Sequence, residues 1–136
     1  MKNKTFWIGI AVTFVVMQVY SFLVHGLWLG ETYEGLADIF RSQAEMESMM
    51  GWMWVSSAIG LVIFGIIFVQ GREGKGVMEG VRYGALIGTF YSVPMAIDQY
   101  VVWPMPLDLA VIWLFSGIVG FMIAGAVFAT LYKPGA

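Results

Sequence analysis

The sequence predicts an all-α membrane protein, a single domain of four transmembrane helices packed up and down, with a short amphipathic helix at the outer surface between the first two. Three observations predict it. Residues 5–29, 49–69, 81–102 and 107–132 are long apolar stretches, each able to cross a hydrocarbon core of roughly 30 Å at about 1.5 Å per residue. Acidic and basic side chains are kept out of them: only His25 and Asp98 lie in the interior of a stretch, with Arg82 and Asp108 at the ends. The remaining charge is sorted by sign, with Lys2, Lys4, Arg72, Lys75, Arg82 and Lys133 on one side and only Arg41 on the other.

The first stretch follows Lys2 and Lys4 and is longer than the apolar core of a secretory leader, with no Ala-x-Ala cleavage signal after it, so it reads as a retained helix. After it, Leu36, Ile39, Phe40 and Met46 to Met50 recur at helical spacing opposite Glu34, Asp38, Arg41, Ser42 and Glu45, which predicts the outer amphipathic helix, continuous with the second span. Its polar face is acidic and unsuited to anionic lipid. The loop Gln70 to Gly76 is glycine-rich but lacks the full phosphate-cradling pattern, and a solvated turn explains it. Pro94 predicts a kink in the third span. Trp103-Pro104-Met105-Pro106 is short and stiff, so the third and fourth spans form an antiparallel hairpin. Because basic residues near span ends are retained in the cytoplasm, the asymmetry of Lys and Arg places both termini inside. Trp28, Trp52, Trp54, Trp103 and Trp113 then mark the outer boundary.

Composition narrows the functional classes. At 60% hydrophobic and 12% charged, the chain is far from soluble domains, where about a quarter of residues are charged. The absence of cysteine excludes disulfides, thiolate zinc sites and iron–sulfur clusters. A net charge of −2 without a basic stripe argues against nucleic acid. One histidine, with acids mostly in the outer connection, fits no catalytic triad, paired-carboxylate or His-Glu-x-x-His arrangement. Neither an enzyme nor a cofactor is predicted.

Two patterns remain. Gly80, Gly84, Gly88, Ser92 and Ala96 recur every fourth residue in the third span, and Ser116, Gly120 and Ala124 in the fourth. Small residues at this spacing let helix backbones approach in lipid, so one stripe packs on the other inside the hairpin or, alternatively, supports self-association. The second pattern is a polar intramembrane site. Gln18, Ser21, His25 and Trp28 share a face of the first span, and Tyr91 aligns with Asp98 in the third. His25 and Asp98 lie at similar depth, roughly 5–8 Å below the outer interface, where they would either satisfy each other or form a proton or ion site. Met46, Met49, Met50 and Met53 form a stripe that reads as helix packing, with a Cu(I) thioether site as the sharper alternative.

The motif His25-Gly26-Leu27-Trp28-Leu29-Gly30-Glu31-Thr32-Tyr33, the acidic connection and the glycine-rich third helix resemble small four-helix bacterial inner-membrane proteins of unknown function. That resemblance implies a prokaryotic inner-membrane location and supplies no activity or ligand. The expectation is a non-enzymatic packing or accessory component within the lipid bilayer, as a homo-oligomer or part of a larger membrane complex. The rival is a small transporter or proton-coupled carrier using the His25 and Asp98 region.

Overall fold

The structure is a computed structural model that describes residues 3–135, and every described element is helical. Helix α1 (Lys4–Ser21) continues into a π-helical segment (Phe22–Trp28); α2 (Gly30–Glu34) and α3 (Gln43–Ser48) are short; α4 (Met50–Gly71), α5 (Val77–Val102) and α6 (Leu107–Leu131) are long. Three helices are long and apolar enough to cross a membrane: Lys4–Trp28, Met50–Gly71 and Leu107–Leu131. The fourth predicted stretch is a helix of 26 residues, but Glu79, Arg82, Asp98 and its small residues make it less apolar than the other three.

Helices α5 and α6 form the closest pair in the molecule, because their facing residues lack side chains. A Cβ built on Gly80 would lie 2.1 Å from the Gly125 carbonyl oxygen, and one on Gly84 2.1 Å from that of Phe121. Gly88 meets Ile118, and Gly117 meets Ser92, so the register is antiparallel along the whole pair. Backbones this close gain dispersion contacts that lipid cannot replace, and this holds helices together where the hydrophobic effect does not. The partner stripe differs from the predicted one. Gly117, Phe121 and Gly125 face α5, whereas Ser116 and Gly120 face α1: the Ser116 carbonyl accepts a 2.7 Å hydrogen bond from the Tyr20 hydroxyl, and a Cβ on Gly120 would lie 2.9 Å from the Tyr20 ring. Two small stripes one residue apart let α6 pack on two neighbours.

Toward the end that carries both termini, the helices close on aromatic side chains. Phe6, Ile10, Phe68 and Phe128 form one buried cluster, and Leu61, Phe64 and Ala124 a second. Phe128, 1% exposed, meets Phe6 and Phe68 edge to face at 5.6 and 5.7 Å, an arrangement favoured by the ring quadrupole. Tyr83 of α5 packs on Phe64 and Phe68 and donates a 2.7 Å hydrogen bond to the Phe64 carbonyl. At the same end Asn3 and Thr5 donate to the Lys133 carbonyl, joining the start of α1 to the chain beyond α6. The Glu79 carboxylate accepts the backbone N–H groups of Glu73 and Lys75 and folds the glycine-rich loop over the start of α5. Gly74 and Gly76 supply the positive φ that this turn requires.

The far end departs from expectation. In place of one amphipathic helix running into α4, the connection comprises α2, tight turns over residues 35–40, and α3, which begins with a Ser42–Glu45 capping box. Met49, with φ −105° and ψ 3°, separates α3 from α4, so Met46 and Met53 do not belong to one uninterrupted helical stripe. Tyr33, Leu36 and Phe40 fold back on a third buried cluster, Val24, Leu29, Met105, Leu109 and Ala110. No residue of α4 belongs to it. Helix α5 runs through Pro94 without interruption.

Candidate functional site

The polar centre of the far end is built from the π-helical segment outward. There the ladder widens so that the Leu29 N–H reaches the Val24 carbonyl, five residues back, at 2.9 Å. Gly26 permits it locally, since a Cβ at that position would lie 2.9 Å from the Phe22 ring. A wide turn spends about one extra residue, and one residue of helix corresponds to about 100° of rotation. The face predicted for Gln18, Ser21, His25 and Trp28 therefore breaks after Ser21. Such segments concentrate at functional sites, and His25, the only histidine, lies in this one.

His25 pairs with Tyr33 rather than with Asp98. Its Nδ1 lies 2.6 Å from the Tyr33 hydroxyl, and the two rings are stacked with centroids 6.0 Å apart. The Trp113 indole N–H donates to the same hydroxyl at 2.8 Å. Because indole nitrogen is only a donor, the Tyr33 oxygen accepts from it while also bonding His25. With Nδ1 engaged by Tyr33, Nε2 is the ring nitrogen left to the surroundings. Phe40 closes the group, 5.6 Å from the Tyr33 ring and 6.0 Å from that of Trp113. Burial raises the Tyr33 phenol above its ordinary range, and the Trp113 N–H partly offsets this. The phenol bridges the Trp113 indole and the His25 imidazole.

The other predicted polar residues do not join this group. Asp98 is exposed on α5 and makes no side-chain hydrogen bond or ion pair among the described residues. Tyr91 is 56% exposed and touches Phe121 across 5.7 Å. Gln18 is half-buried on α1. Among the described residues no three His, Asp or Glu side chains converge on a metal position. Met46 on α3 and Met50 and Met53 on α4 flank the Met49 break.

Sequence reasoning missed Tyr33 and Trp113 as partners of His25. Tyr33 stands eight residues from His25 in the same glycine-bounded motif, and that proximity was the available signal; Trp113 reads as an interface anchor until α6 is placed beside α1. No known family, curated relative or solved structure matches the chain.

Proposed function

We propose that the chain is a four-span protein of the bacterial inner membrane, with both termini cytoplasmic, that serves as a non-enzymatic accessory component of a larger membrane assembly. In this reading the fourth span is α5, supported by its course along α6 from Gly80 opposite Gly125 to Ser92 opposite Gly117. The observation that carries the accessory reading is the pair of buried aromatic and aliphatic clusters toward the terminal end, Phe6, Ile10, Phe68 and Phe128 with Leu61, Phe64 and Ala124. They fill the space between the helices with side chains that offer no polar route, whereas a carrier needs polar groups to replace the hydration of its substrate. The bond of His25 to Tyr33 and the exposure of Asp98 on α5 favour the same reading over a carrier built on that pair.

Proteoliposomes loaded with a pH-sensitive dye test this reading. Flux of protons at the level of protein-free vesicles is expected, with His25→Ala and Asp98→Asn indistinguishable from the parent. Proton flux in the parent that either substitution abolishes would overturn the accessory reading in favour of a carrier.

A further inference from the structure

The far half of α4 stands away from the rest of the molecule. Its buried residues, Leu61, Phe64, Gly65 and Phe68, all belong to the half nearer the termini. From Gly51 to Ser56 every residue is exposed, as are Ile59 and Gly60, with Trp52 75% exposed. Nothing lies within 4 Å of the Cβ position of either Gly51 or Gly60. The stretch from Gly51 to Gly60, in which only Ser57 and Ala58 are half-buried, is about 15 Å of helix.

Helix α5 shows what this withdrawal uncovers. Tyr83 packs against Phe64 of α4 in the half nearer the termini, and Ile87 against the cluster that Leu61 and Phe64 form with Ala124. Continuing along the same face at helical spacing brings Tyr91, Pro94 and Asp98, all three exposed. One face of α5 is thus covered by α4 at one end and bare at the other, and the bare part carries the only carboxylate in the interior of the predicted spans. The exposed residues of α1 and α6 at the same level are apolar apart from His25 and Asp108, and Asp108 stands in the first turn of α6, where its carboxylate accepts the Leu109 N–H. A carboxylate on an outward helix face inside a bilayer is costly without a partner.

We propose that the gap between the far halves of α4 and α5 seats a transmembrane helix of a different protein, one that carries a lysine or arginine in its own far half to pair with Asp98. This rests on the four-span accessory reading and gives it a docking place. Charge complementarity names the occupant. A second copy of this chain offers no such cation within a helix: none of its long helices has a lysine or arginine in the far half, its one histidine there is held by Tyr33, and its Arg41 stands in the connection outside the long helices. Lipid tails fill the space but leave the carboxylate unpaired. Ser57 and Gly60, on the α4 side of the gap, leave room for a close backbone approach.

The test uses the full chain with Ala44→Cys carrying a fluorescent donor, reconstituted in phosphatidylcholine vesicles so that the lipid supplies no primary ammonium. The probe is an acceptor-labelled poly-leucine helix of about 20 residues with one lysine two turns below its far end. Energy transfer is expected at about tenfold lower peptide density than for the all-leucine helix, a difference of about 1.4 kcal/mol. Asp98→Asn should erase that preference and Asp98→Glu should keep most of it; Gly60→Leu should weaken binding while leaving the carboxylate intact. Equal binding of the two peptides overturns the proposal, as does a preference that survives Asp98→Asn. Chain-to-chain energy transfer that Asp98→Asn abolishes would overturn it by showing that a second copy fills the gap. Failure here with no proton flux in the parent would remove the docking place alone, whereas flux would remove the accessory reading.

Discussion

Tyr33 is the residue on which the far end turns. Its hydroxyl satisfies the Trp113 indole and the His25 imidazole at once, so Tyr33→Phe leaves two groups without a partner, while His25→Phe leaves only one hydroxyl proton free. The expected loss is about 1–2 kcal/mol for Tyr33→Phe and less for His25→Phe, measured by thermal unfolding in a mild detergent. Equal losses would mean that the Trp113 bond contributes nothing. Glu79 acts at the opposite end. The backbone N–H groups of Glu73 and Lys75 hold its carboxyl below the ordinary Glu range. A depressed value favours the folded loop above the ordinary range, and that contribution is lost as pH falls through the lower folded value. The Lys75 amide resonance should therefore titrate with a midpoint below that of a free glutamate, and Glu79→Gln should remove the titration. The group is solvent-exposed, so the effect is local to the loop.

Among the elements, the α5–α6 pair and α4 make opposite predictions for one chemical change. Gly80→Ala or Gly84→Ala forces a methyl into a carbonyl oxygen about 2 Å away and should destabilise by about 1–3 kcal/mol or more, as overpacking does. Gly51→Ala and Gly60→Ala meet nothing and should be neutral or stabilising by up to about 1 kcal/mol through helix propensity. Gly120→Ala belongs between them, since it presses on the ends of Tyr20 and Met17, which can move. Thermal stability in detergent ranks all five; a uniform response would remove close backbone contact as the basis of the pair. The small stripe of α5 was legible from spacing alone, because every fourth residue is Gly, Ser or Ala. Its partner was not, since α6 carries small residues in two adjacent stripes and spacing cannot say which one meets α5. The π-helical segment was equally hidden, because hydrophobic periodicity assumes one helical pitch throughout.

At the scale of the whole molecule, the orientation prediction rests on charge. Reporters fused after Lys133 or inserted at Gly74 should be cytoplasmic and one near Ser42 external, because Lys and Arg flanking short loops resist translocation. A C-terminus found outside would reverse the reading of both faces. The structure makes part of this prediction stricter, since Asn3 and Thr5 both bond the Lys133 carbonyl and so hold the start of α1 and the chain after α6 at one end. By itself the sequence determined the helical class, the apolar stretches and the side on which positive charge gathers, all of which follow from how single residues partition between water and an apolar medium. Only the tertiary structure decided that His25 meets Tyr33, that Ser116 and Gly120 face α1, and that α4 leaves Asp98 uncovered. Those outcomes depend on helix rotation and separation, and they are set by which surfaces come close enough for van der Waals contact and hydrogen bonding, which no single stretch of sequence specifies.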